Sequence, residues 1–204
     1  MEENLDKLLR IQENQLINAF AQHNMQLIFV ENKEEVYTYL KSVLVDQKKV
    51  AVGGSVTLSQ LGVIDLIKES DVEFIDRYEP GLTQEELSER LRQGLVSDLF
   101  ITGTNALTSD GYLYNVDGTG NRVAAMIYGP KEVIVIAGMN KIFNTEQEAI
   151  NHIKSANIPM IVAINKVEDE VDSIEFYTNF IDVVYDDKDN VTYLTNEIKL
   201  LIEE

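Results

Sequence analysis

The chain has 204 residues, no cysteine, and a formal net charge of −18 from 35 acidic against 17 basic residues. That field repels phosphate backbones and anionic membrane surfaces, so nucleic-acid binding is not expected. The lack of thiols removes disulfides, iron–sulfur clusters, cysteine-type zinc sites and thiolate catalysis from within the chain.

Residues 4–22 carry Leu5, Leu8, Leu9, Leu16 and Phe20 near one face, which predicts an amphipathic helix. Its acidic start, MEENLDKLLRIQENQ, has the composition of neither a secretory signal nor a transit peptide. No run approaches the roughly 18 apolar residues of a membrane span, so no membrane insertion and a cytoplasmic location are expected. QLIFV (26–30) reads as a buried strand. Asn32 with Glu35 forms a capping-box pattern ahead of Val36, Tyr39, Leu40, Val43 and Leu44 at helical spacing. KVAVG (49–53) predicts a second strand leading into a helix over 57–68, and VEFID (72–76) a third strand. Thr83 and Glu86 cap the next helix, and LFITGT (99–104) follows as a fourth strand.

Ser109-Asp110-Gly111 marks a turn between short extended pieces, and Gly129-Pro130 stops a helix over the preceding small-residue run. EVIVIAG (132–138) is almost continuously apolar, as a strand covered on both faces should be. Thr145 and Glu148 cap a further helix that ends before Pro159. MIVAI (160–164) and DVVYD (182–186) read as strands, and residues 196–203 as a terminal helix. Strands alternate with helices, without repeats or linkers. We expect one α/β domain over 1–204 with a mostly parallel sheet flanked by helices.

Open sheets of this kind hold ligands beyond the carboxyl ends of their strands, where loops 53–57, 102–108 and 138–141 fall. In VGGSVTL (52–58), Gly53 and Gly54 permit close backbone approach, and Ser55 or Thr57 can cap a helix or meet an anion. In TGTNALTSDG (102–111), Asn105 offers both donor and acceptor, for a ligand or for an Asx turn.

NVDGTGNR (115–122) supplies Asn115, Asp117, Gly118, Gly120, Asn121 and Arg122. Arg122 falls in a helix's first turn, where the dipole disfavours a cation, so it should answer either Asp117 or a bound anion. The stretch is not GxGxxG, because Val123 stands where the third glycine would be. Lys141 in GMNK (138–141) can attract an anion or serve as a general acid, and Asp76 with Arg77 is a candidate charge pair at the same edge. His23 and His152 are the two imidazoles, far apart, and fit helix-packing roles better than catalysis. No metal ligand set is evident and no cofactor can be named.

VAVGGSVTLSQLGVIDLI (50–67), FIDRY (74–78) and GTNALTSDGYLYNVDGTGNRVAAMIYGPKEVIVIAGMNKI (103–142) resemble the LUD-domain family of lactate-utilisation proteins. The resemblance covers roughly residues 1–156. It implies the fold of CoA transferases, ribose-5-phosphate isomerase and glucosamine-6-phosphate deaminase. It also implies an anion-gripping Gly-rich loop at 53–57, and a link to oxidation of lactate to pyruvate with protein partners. Many family members of this length end in a Cys-rich tail, whereas residues 157–204 contain no cysteine and read as extra strand and helix, suited to a dimerisation or lid element.

The expected role is a component of lactate or other organic-acid utilisation that binds a small anionic metabolite. Gly53, Gly54, Ser55, Thr57, Asn105, Asn115, Gly118, Gly120 and Asn121 would hold the ligand, and Asp117, Arg122 and Lys141 would carry any chemistry. The alternatives are an isomerase or acyl/CoA-transfer enzyme of the same superfamily, and a non-enzymatic binding subunit.

Overall fold

A computed structural model describes residues 2–155 and 198–203. The strand candidates at 160–164 and 182–186 lie outside the described residues. Six parallel strands form the main sheet: β1 (Met25–Val30), β2 (Lys49–Val52), β3 (Glu73–Ile75), β4 (Leu99–Thr102), β7 (Glu132–Gly138) and β9 (Ile198–Glu203). Their spatial order is β1-β9-β7-β4-β2-β3. A small second sheet joins β5 (Ala106–Thr108) antiparallel to β6 (Leu113–Tyr114) and parallel to β8 (Ile142–Phe143).

Alternation along the central strands produces two cores. Val50 and Val52 of β2, Leu99 and Ile101 of β4, and Ile134 and Ile136 of β7 face one side. There they meet α2 (Lys33–Leu44), α3 (Val56–Leu61) and α4 (Val63–Lys68). Ala51, Phe100, Val133, Val135 and Ala137 face the other side, against Leu16 and Phe20 of α1 (Glu2–Gln22) and Ala125 and Met126 of α6 (Asn121–Tyr128). Both faces being covered, the strands read as continuous apolar runs rather than alternating ones. Among the described residues, no helix is long and apolar enough to cross a membrane.

The caps form as the sequence requires. Asn32 accepts from the Glu35 amide ahead of α2, and Thr83 and Glu86 make a complete capping box at α5 (Gln84–Gly94). Thr145 accepts from the Glu148 amide ahead of α7 (Glu146–Ser155). Two expectations need correction. The helix expected over 57–68 is broken at Gly62, which adopts φ 70° between α3 and α4. A Cβ there would stand 2.6 Å from the Tyr37 hydroxyl, which donates to the Leu61 carbonyl.

The terminal helix expected at 196–203 is instead β9, pairing with β1 on one side and β7 on the other. Two open strand ladders need backbone partners, and satisfying both outweighs the helical propensity of a short segment.

Chain direction sets how the connections leave the neighbouring strands. The segment after β2 crosses to the face holding α3 and α4, and the segment after β4 leads to α6 on the opposite face. β2 and β4 are neighbours, paired from Val50–Leu99 to Val52–Ile101. Their connections therefore part at a topological switch point, where open α/β sheets leave a crevice.

At that point the two loops nearly touch. The Gly53 amide donates to Ile101 O at 2.9 Å, and a Cβ on Gly53 would fall 2.2 Å from Thr102 Oγ1. Gly54, one residue on, is exposed, and a Cβ there would meet only the Arg77 guanidinium, at ordinary contact distance. Gly53→Ala should accordingly cost about 1–3 kcal/mol by overpacking. Gly54→Ala should stay within about 1 kcal/mol of the parent. Urea unfolding of the two variants checks the contrast, and equal stabilities would refute the close-approach assignment.

Candidate functional site

The densest polar arrangement is built on Arg122, in the first turn of α6. Its Nε donates to Asp117 Oδ1 at 2.7 Å, and its Nη2 lies 2.6 Å from the same oxygen. Nη2 also donates to Asn105 Oδ1 at 2.6 Å and to Val116 O at 2.8 Å, and Nη1 reaches Gly103 O at 3.4 Å. Asp117 Oδ2 accepts from the Val123 amide at 2.9 Å. Gly120, the N-cap of α6, has no side chain to satisfy that amide, so Asp117 caps the helix from three residues upstream. Its carboxylate thus offsets both the arginine and the positive helix end.

The brace answers the question the sequence leaves open: Arg122 faces Asp117. It also ties three segments together, namely the exit of β4 through Gly103 and Asn105, the segment after β6 through Val116, and α6. Asn105 Oδ1 accepts from the Val116 amide as well, and Thr104 Oγ1 lies 3.0 Å from Asn115 Oδ1. Asn115, Asp117 and Arg122 are all buried. Thr119 donates to Asn121 Oδ1 beside the exposed Gly118.

The loop after β2 forms a second group. Ser55 Oγ caps α3 by accepting from the Leu58 amide, and a Cβ on Gly103 would meet it at 2.7 Å. Ser55 therefore packs against the same Gly103 whose carbonyl Arg122 engages. Thr57 lies half-buried in the first turn of α3. The structure thus brings loops 53–57 and 103–105 together and joins Asn105, Asp117 and Arg122.

Lys141 stands elsewhere, in the single 3-10 turn Met139–Lys141 after β7, with Nζ 3.4 Å from His152 Nε2 on α7. Burial first, then the Lys141 charge, holds the His152 pKa below its ordinary value. Its ring also packs 4.8 Å from that of Phe143.

The candidate charge pair Asp76–Arg77 is not made. Asp76 instead bonds Lys68 at 2.8 Å and accepts from the Tyr78 amide at 2.8 Å. Arg77 lies flat against Gly54: the Gly54 Cβ position is 3.7, 3.9 and 3.9 Å from its Nη1, Cζ and Nη2. The Tyr78 ring is 5.6 Å from Cζ, and the Tyr78 hydroxyl donates to Gly53 O at 3.4 Å. Among the described residues, the Arg77 guanidinium has no hydrogen bond or ion pair. Sequence reasoning reached Arg77 only as half of a charge pair. The signal that could have found it was its place at the end of the strand beside β2.

The sequence profile of the LUD domain matches residues 14–179. The chain belongs to the LUD domain family. In fold it is similar to a DUF162 family protein from Deinococcus radiodurans, with a TM-score of 0.53 at 13% identity over 96% of this chain and 98% of that one. Among curated proteins, this LUD-domain chain is similar to translation initiation factor IF-2 of Clostridium botulinum (strain Hall), 28% identical over 147 residues. A comparable likeness, 29% over 145 residues, links it to the factor of Leptospira interrogans. These stretches are 71% and 70% of this chain but 19% and 15% of the factors, so the chain spans under a fifth of those relatives.

Two expectations follow from the geometry. Arg122→Ala would leave a buried carboxylate and several carbonyls without their partner, so it should destabilise the fold by about 3–5 kcal/mol. Arg122→Lys should recover only part of this, because an ammonium cannot reproduce the guanidinium fork; chemical denaturation checks both.

For His152, a folded-state pKa below the unfolded value of about 6.5 means that the unfolded chain takes up the proton first. Stability present above the unfolded value is therefore lost as pH falls through it towards the folded value. His152→Gln should flatten the change in urea midpoint between about pH 7.5 and about pH 5.5, and an unchanged slope would refute the assignment.

Proposed function

We propose that this LUD-domain protein binds a small anionic metabolite of organic-acid utilisation, of the lactate and pyruvate class, at the switch point between β2 and β4. One observation carries the reading. The loops leaving these neighbouring strands depart to opposite faces and meet at Gly53, Ser55 and Gly103, with Gly54 left exposed at the mouth. Gly-rich backbone at such a crevice allows close approach of a ligand, and the family resemblance assigns its anion grip to the same loop.

The role of the Arg122 group in this reading is to hold the crevice wall in shape. Both oxygens of Asp117 are engaged, one by Arg122 and the other by the Val123 amide. That engagement weighs against the isomerase alternative, which needs Asp117 as a free carboxylate base. Oxidation of lactate would then require protein partners that carry the electrons. The initiation-factor likeness does not displace this reading, since a net charge of −18 opposes contact with RNA.

Backbone amide NMR shifts followed during titration with lactate and with pyruvate test the site. Perturbations should cluster at residues 53–57 and 103–105. Shifts scattered over the surface, or none at saturating concentrations, would overturn the proposal.

A further inference from the structure

We infer that Arg77 is the anchor for a ligand carboxylate, and that the crevice is selective for monocarboxylates over phosphate; this rests on the anion-binding reading above. Among the arginines whose side chains are described, Arg77 stands apart in an acid-rich chain. Arg90 pairs with Glu79, Arg92 with Glu89 and Arg122 with Asp117. Arg77 has no carboxylate among the described residues. The acid next to it in sequence is withdrawn, because Asp76 is committed to Lys68 and to the Tyr78 amide.

The position is also built. β3 is the edge strand beside β2, so the residue following Asp76 at its end arrives directly over the Gly53-Gly54 turn. The guanidinium lies face-on to Gly54, and the ring of Tyr78 stands beside it. A guanidinium with one face covered keeps its N–H edge for an in-plane partner, which is the approach a carboxylate uses for two parallel hydrogen bonds. The loop carrying Arg77 is pinned by Tyr78 on Gly53 O and by the Glu79–Arg90 pair, so the side chain is presented from a fixed base.

Charge accounting sets the ligand class. Among the described residues near these strand ends, carboxylates answer Arg122, through Asp117, and Lys68, through Asp76, while Lys141 stands apart beside His152 on α7. A single guanidinium matches one negative charge. A phosphate dianion would bring a second into a molecule of net charge −18, where repulsion grows with ligand charge.

Isothermal titration of wild type, Arg77→Ala and Arg77→Lys with pyruvate, lactate and inorganic phosphate tests the inference, with Arg92→Ala as a surface-charge control. Wild type should bind a monocarboxylate with phosphate failing to compete at equal concentration. Arg77→Ala should weaken binding by about 10–100-fold with an unchanged urea midpoint, Arg77→Lys should recover part of it, and Arg92→Ala should bind as wild type. Wild-type affinity in both Arg77 variants would overturn the anchor while leaving the crevice reading intact. A preference for phosphate would overturn the ligand class, and no binding of any of the three anions by wild type would overturn the crevice reading together with the anchor. Should Arg77→Ala fail to fold, the lysine variant decides, since loss of the planar fork alone must cost affinity.

Discussion

Burying the Arg122 guanidinium beside Asp117 is the constraint on which the rest of the site depends. An arginine this enclosed, 9% exposed, is tolerable only with its charge answered and its N–H groups accepted. The acceptors come from Asp117, Asn105, Val116 and Gly103, which lie on three separate segments. Satisfying one side chain therefore fixes the exit of β4, the segment after β6 and the start of α6 relative to one another. A loop that would otherwise be free to move at a strand end becomes a rigid wall.

That wall has consequences across the sheet. Gly103 offers its carbonyl to Arg122 and its bare α-carbon to Ser55, so the loops after β2 and β4 meet at this residue as well as at Gly53. Overpacking at either glycine pushes on both loops at once. The two connections part at the switch point, and the brace holds the loop after β4 in shape there. Sheet topology and buried electrostatics thus act on the same few residues from different directions.

Much of this was legible from residue order, for identifiable reasons. β7 is legible to its bounds because the six successive apolar or small residues after Glu132 are what a strand covered on both faces requires. The caps at Asn32, Thr83 and Thr145 were legible because a cap is decided within four residues. Arg122 was legible as an anomaly, since a cation in a helix's first turn demands an explanation. What escaped depends on distant partners. Gly62 sits inside a helical pattern, and only Tyr37, from another helix, shows that the backbone turns there. β9 owes its strand to the slot between β1 and β7, which no local propensity encodes. Asp76 and Arg77 looked like partners through adjacency, yet Lys68 reaches Asp76 from the end of α4.

The two arginines at the strand ends differ in what solvent can do for them. Arg122 has almost no water, so an unanswered charge there would cost several kcal/mol and its partners must be built into the chain. Arg77 is half-buried, with one face on Gly54. Hydration can carry its charge at small cost, and in the proposed reading a ligand replaces that water where the surrounding loop is already ordered. Burial therefore divides the labour: the enclosed guanidinium holds the backbone still, and the half-exposed one, in the proposed reading, keeps its hydrogen-bonding capacity for a ligand.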